Sequence, residues 1–195
     1  MSQKINLSRI IRIITVAPIM ALAALSILLA RKPEIYGTTL NYILAVVFLT
    51  MLPLLAYPLQ PYVPHFKDKG RPGQRYLAIV MAVIGYIAGT ICALIAKAQK
   101  ELLLIYLTYL FSGLFIVIFN KLIKINASGH ACGIAGPVAY MAYFIGPLAL
   151  LGLPIIAVIF WASLKTKRHT LPQLIFGSII PVAALLLSLL VLKMF

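Results

Sequence analysis

Apolar residues run along this chain in seven stretches parted by short polar or basic breaks, at about 10–30, 38–57, 76–96, 102–119, 131–149, 153–164 and 172–193. Most approach the length of about 20 residues that a helix needs to cross the hydrocarbon core of a bilayer. The pattern therefore predicts an all-α, polytopic transmembrane helical bundle of about six to seven spans. The fifth and sixth stretches are short and are divided by Leu151-Gly152-Leu153-Pro154, which predicts a tight hairpin of two short or tilted helices. A single long helix over 131–164 is the competing reading. Gly85 and Gly89 make a Gly-x-x-x-Gly pair in the third stretch, read as close helix packing, and Gly129 and Gly133 begin another in the fifth. Pro53, Pro147 and Pro181 are expected to kink or end helices. Tyr36, Tyr57, Tyr62 and Tyr76 fall near stretch ends, where interfacial aromatics gather.

With 63% of its 195 residues hydrophobic, the chain leaves no room for a soluble domain and reads as one integral membrane domain over 1–195. Its 17 Lys and Arg against 3 Asp and Glu give a net charge of +14, which in a soluble protein would suggest nucleic acid. Here the cations cluster between apolar runs, so membrane lipids with anionic headgroups or a phosphorylated substrate are the expected partners, and nucleic acid is not. With seven spans, the amino terminus and 58–75, 120–130 and 165–171 emerge together, carrying Lys4, Arg9, Arg12, Lys67, Lys69, Arg71, Arg75, Lys121, Lys124, Lys165, Lys167 and Arg168. The other side carries Arg31, Lys32, Lys97, Lys100 and Lys193. Twelve against five predicts a cytoplasmic first side. The first apolar stretch ends directly at Arg31-Lys32 with no small-residue cleavage site, so an uncleaved first span is expected. Cys92 and Cys132 lie in or beside apolar segments and read as small buried residues rather than a disulfide.

Glu34, Asp68 and Glu101 are the only carboxylates, and all three are expected in loops. Magnesium enzymes built on aspartate clusters, and carriers built on buried carboxylates, lose their essential groups. The remaining chemistry lies in three segments, each holding one of the three histidines. The first, from Pro64 to Arg75, is expected as a loop carrying His65, Lys67, Lys69, Arg71 and Arg75. It reads either as a solvated positive loop or as a phosphate clamp, in which Arg offers a planar fork of donors and Lys a point charge. The second, Ser128-Gly129-His130, stands at the mouth of a run of small and apolar residues. A hydroxyl, free backbone N–H groups and an imidazole at a helix start suit an oxyanion. The third runs from Lys165 through His169 to Gln173, with Gly177 beyond. His169 and Gln173, four apart, share a helical face, so Gln173 can accept a hydrogen bond from the imidazole and fix its tautomer. An interfacial histidine at a membrane edge is the plainer reading.

Taken in order, a basic segment with Arg-Pro, a Ser-Gly-His opening a helix and a basic-His-Thr-x-x-Gln-x-x-x-Gly stretch resemble the type-2 phosphatidic acid phosphatase superfamily over about 65–180. The two motif histidines are 39 residues apart, room for two short spans. The resemblance implies a membrane-embedded phosphatase with no cofactor, acting on phosphatidate, phosphatidylglycerophosphate, a polyprenyl diphosphate or a similar lipid. It implies His169 as the nucleophile that becomes a phosphohistidine and His130 as the general acid. Ser128 and the Gly129 N–H would bind phosphate oxygens, with Arg71, Arg75 and Lys69 standing for the basic first motif and Lys165 for the third-motif arginine. Gln173 would orient His169.

The chain departs from the family pattern at Pro64, where a lysine is expected, at Ala127 for a proline, at Ser163 for an arginine and at Gln173 for a carboxylate. A phosphotransferase would use the same residues. The missing arginine and carboxylate make a non-catalytic lipid-binding or scaffolding member the alternative. A three-histidine metal enzyme on His65, His130 and His169 is a further one.

Overall fold

The computed structural model describes Ile11 and residues 14–194, and these form helices joined by short turns with no strand among them. Lys4, Arg9 and Arg12 lie outside the described residues. The helices are α1 (Ala17–Arg31), α2 (Thr39–Val46), α3 (Leu52–Leu59), α4 (Gly70–Ile95), α5 (Lys100–Lys121), α6 (Gly129–Ile145), α7 (Leu153–Lys165) and α8 (Leu171–Lys193). Among the described residues five helical stretches are long and apolar enough to cross a membrane: Thr39–Tyr62, Lys67–Ile95, Lys100–Lys121, Gly129–Lys165 and Leu171–Lys193. That is the make-up of an integral, multi-pass membrane protein. Ile175, Ile179, Val182, Leu186 and Leu190 form an exposed apolar stripe down α8, a face that lipid tolerates and water does not.

Proline and glycine shape the elements as the backbone chemistry requires. Pro53 has no N–H to return to the carbonyl of Leu49, and the helix widens into a π turn at Val47–Met51 between α2 and α3. α6 stops at Ile145 because Gly146 takes the left-handed conformation at φ 66°, directly before Pro147. A 3-10 turn over Gly146–Gly152 follows, and Gly152 comes back against Val138 in the middle of α6. The stretch 129–165 is therefore a hairpin and not one straight helix. Pro181 neither ends nor breaks α8, and its ring rests beside Gly136 of α6.

Two sequence expectations are corrected. Arg71 and Arg75 belong to the first turns of α4, which begins at Gly70, and not to a loop. Pro72 is tolerated there because the first N–H groups of a helix have no partner in any case. Glu101, expected in a loop, stands in the first turn of α5, where the helix dipole favours an acid. The other two acids lie in short 3-10 turns, and Glu34 pairs with Lys32 at 3.6 Å on the surface.

In the bundle α8 packs between α5 and α6, α6 against α1, and α4 against both α3 and α5, while α7 lies outside against α6. Gly85 and Gly89 bring α4 close to its neighbours, as the spacing predicts: a Cβ at Gly85 would meet the Phe48 carbonyl, and one at Gly89 the Tyr106 ring. The packed core joins Leu25 and Leu28 of α1, Tyr36, Leu49, Tyr106 of α5 and Tyr140 of α6. Tyr36 donates its hydroxyl to the Leu25 carbonyl at 2.7 Å. A smaller core of Ala127, Cys132 and Ile180 packs with Phe115, Ile116 and Phe119 nearer the histidine-bearing segments.

Candidate functional site

Between α1, α3, α4, α5 and α6 lies a cavity of about 1060 Å³ whose lining includes Arg71, Arg75, Gly129, His130, Arg168 and His169. Three segments far apart in sequence thus meet on one space. Among the described residues no acidic side chain lines it, and three guanidinium groups and two imidazoles do. Such a surface suits a phosphate, whose oxygens accept from planar guanidinium forks.

The third segment is shaped by the end of α7. Lys167 adopts φ 50°, and the chain closes with Arg168 N–H donating to the Ser163 carbonyl at 3.1 Å and Lys167 N–H to that of Leu164 at 3.0 Å. This paired closure is a Schellman motif with lysine where glycine is usual. It reverses the chain so that Thr166, Arg168 and His169 reach the cavity. α8 then starts at Leu171, with the Thr170 N–H donating to Gln173 Oε1 at 3.1 Å. A backbone N–H can only donate, so that contact identifies the Gln173 atom as the amide oxygen. His169 Nδ1 lies 3.2 Å from the same oxygen and must therefore be the protonated ring nitrogen. The ring lone pair then belongs to Nε2.

Gln173 also ties in the second segment, because its backbone carbonyl accepts from Ser128 N–H at 2.8 Å. Gly177, one turn further along α8, makes room for this contact: a Cβ there would come within 2.4 Å of the Ser128 carbonyl oxygen. Ser128 is fully buried, and its hydroxyl accepts from Ala131 N–H at 3.3 Å as the N-cap of α6. It is a structural cap and does not line the cavity, whereas Gly129 and His130 do. A Cβ at Gly129 would meet nothing within 4 Å, so this end of α6 is open to a ligand.

His130 also meets α1's amino-terminal approach. Thr15 Oγ1 lies 3.4 Å from His130 Nε2 and donates its one proton to the Ile11 carbonyl at 2.7 Å. Toward the imidazole the hydroxyl can then only accept, which keeps a proton on Nε2. The approach is set by Gly133, where a Cβ would collide with the side chain of Ala17.

The remaining expected residues are held elsewhere. Lys69 Nζ sits 3.1 Å from His65 Nε2 and 5.7 Å from the centre of the Phe66 ring, and Lys165 Nζ lies 4.7 Å from the Trp161 ring; neither lysine lines the cavity. His65 is turned edge-on to Phe66 and is likewise absent from the lining. Among the described residues no three of His, Cys, Asp and Glu gather as a metal would require, so the three-histidine site does not assemble. Arg168 and Thr166 are the site residues that motif reasoning passed over. Adjacency of Arg168 to His169 was the available signal. Comparisons with protein-family models, with curated proteins and with solved structures gave no match to this chain.

Proposed function

We propose that this chain is a membrane-embedded phosphatase of the type-2 phosphatidic acid phosphatase kind, releasing phosphate from a lipid phosphate or diphosphate. One observation carries the reading: Arg71 with Arg75, Gly129 with His130, and Arg168 with His169 converge on a single cavity with no carboxylate among its described lining residues. Arg71, Arg75 and Arg168 bind the phosphoryl oxygens and spread the charge that grows on them during transfer. His169 Nε2, the ring nitrogen that carries the lone pair when Nδ1–H bonds Gln173, attacks phosphorus. The phosphorus–oxygen bond to the lipid breaks, and His130 delivers a proton to the departing oxygen. Water then attacks the phosphohistidine, His130 takes up its proton, and phosphate leaves with His169 restored. The segments bearing these groups share one membrane face, assigned to the cytoplasm by its excess of Lys and Arg.

The test is phosphate release by the purified protein from a panel of lipid phosphates and diphosphates in EDTA. Release is expected to persist in the chelator, to vanish in His169→Ala and to fall by about 10²–10⁴ in His130→Ala. Acid-labile, base-stable labelling of the protein by a ³²P-lipid marks the phosphohistidine. Activity that needs added metal, or that survives His169→Ala, would overturn the mechanism. Saturable lipid binding without release across the whole panel would instead identify a binding protein.

A further inference from the structure

Below its cationic mouth the cavity continues into the bundle as a shaft, and we propose that this shaft takes one hydrocarbon chain of the phosphorylated lipid, with Tyr86, Tyr109 and Tyr140 as the stop that sets its length. The headgroup's identity rests on the phosphatase reading; the chain site rests on the shaft itself.

Arg71, Arg75, Ala78, Ala82 and Tyr86 all line the cavity and recur at three- and four-residue spacing, so one face of α4 runs from mouth to floor. At 1.5 Å rise per residue, the stretch from Arg71 to Tyr86 spans about 22 Å. The walls carry small residues, Ala78 and Ala82 of α4 and Gly113 of α5, which take up little of the width. The volume of about 1060 Å³ far exceeds what a phosphate alone occupies. It matches the upper end of the roughly 300–1,000 Å³ that encloses a drug-sized ligand.

The floor is aromatic. The Tyr86 and Tyr109 rings are 5.3 Å apart and the Tyr109 and Tyr140 rings 6.0 Å apart. Tyr109 and Tyr140 pair their hydroxyls with each other at 3.4 Å, and Thr108 donates its own to the Leu104 carbonyl at 2.7 Å. Tyr109 and Tyr140 belong to the packed core beyond, so the shaft does not continue past them. Beside the Tyr86 hydroxyl, the aromatic rings and the Thr108 methyl are what the end of a chain would meet.

Depth then selects the ligand. From Arg75 to Tyr86 is about 16 Å, and half of a hydrocarbon core of about 30 Å is about 15 Å. A chain anchored by its phosphate at the mouth reaches the floor where an ordinary acyl chain reaches the bilayer midplane. Of the expected substrates, this favours phosphates on chains of acyl length, any second chain remaining in the bilayer, over long polyprenyl diphosphates.

The experiment measures binding of non-hydrolysable phosphonates bearing one alkyl chain of graded length to the full-length protein in nanodiscs, with inorganic phosphate and methylphosphonate as the chain-free arms. Each added methylene is expected to tighten binding about fourfold until the chain meets the floor, after which the gain stops. Tyr86→Ala should move that break to longer chains and bind the longest probe about tenfold tighter than wild type. Ala82→Leu, which fills the shaft part-way, should move it to shorter ones. Affinity independent of chain length, or a break that neither variant moves, overturns the proposal even where lipid phosphate is turned over rapidly. A length-dependent break moved by the variants upholds it, and paired with no turnover of any lipid phosphate it overturns the phosphatase reading alone.

Discussion

Gln173 serves two segments with two different atoms, its side-chain oxygen holding His169 Nδ1 and its backbone carbonyl holding Ser128 N–H. Removing the side chain breaks only the first link. Gln173→Ala frees the imidazole to turn and to adopt the other tautomer, and a lost hydrogen bond of about 1.4 kcal/mol corresponds to about a tenfold fall in kcat. Because the Thr170 N–H loses its acceptor as well, a thermal melt separates a frayed helix start from a mispositioned nucleophile. Gln173→Glu keeps both acceptors and adds a charge. A carboxylate beside His169 favours the imidazolium, and on the proposed mechanism the attacking imidazole must be neutral, so the acid limb of the pH–rate profile should move upward by about one unit or more. An unmoved limb would show that His169 is not the group that titrates in the rate. The link between His169 and Gln173 was legible in the sequence because four residues on a helix return to one face. Thr15 beside His130 was not, since it depends on Ala17 settling against Gly133, a tertiary contact with no local signature. Nor was Arg168 at the cavity, which follows from a left-handed turn at a lysine.

At the scale of elements, the site depends on how closely α8 approaches the start of α6. Gly177 is the contact: an added Cβ would sit 2.4 Å from the Ser128 carbonyl oxygen and 3.0 Å from its nitrogen, both rigid backbone atoms. Gly177→Ala should therefore force the two elements apart, costing about 1–3 kcal/mol of stability. It should lower activity beyond what that loss explains, because the His169 and His130 segments are carried by the two displaced elements. Gly113→Ala provides the contrast in stability, since its nearest neighbours would be at 3.6 Å and glycine inside a helix is itself destabilising. Its melting temperature should hold or rise. A Gly177→Ala variant as stable and active as wild type would show that the contact does not set the site. The apolar stretches themselves were readable to within a few residues, but the start of α4 at Gly70 was not. A proline and several cations imitate a loop, and what makes them a helix is that the first turn needs no donors. The result is functional: Arg71 and Arg75 stand one turn apart on a rigid face rather than on a mobile strap.

At the scale of the whole molecule, the alternation of basic breaks and apolar stretches made the helical, multi-pass character legible, because hydrocarbon depth constrains the length and composition of each stretch. The hollow was invisible. Alanine and glycine at Ala78, Ala82 and Gly113 are equally compatible with helices in contact and helices held apart, and only the tyrosine floor and the packed core beyond it decide between them. The same constraint makes the α6–α7 hairpin a sharp test of the membrane placement. α7 has 13 residues, about 20 Å at 1.5 Å each, which falls short of a hydrocarbon core of about 30 Å. The turn joining it to α6 exposes Leu148, Leu150 and Leu151, the last to 72%, and carries no charged group. A turn of that composition suits lipid, and the expectation is that the hairpin enters from the face bearing His130 and returns to it without emerging opposite. In a chain with Cys92 and Cys132 replaced by alanine, Leu151→Cys should resist a membrane-impermeant thiol reagent from both sides and react with a permeant one. Lys32→Cys and Lys100→Cys should label in intact cells, and Lys69→Cys and Lys121→Cys only after the membrane is opened. Labelling of Leu151→Cys together with the Lys32→Cys face would mean two full crossings. Labelling of Lys69→Cys and Lys121→Cys in intact cells would turn the cavity mouth to the outer face, and with it the pool of lipid phosphates the protein can reach.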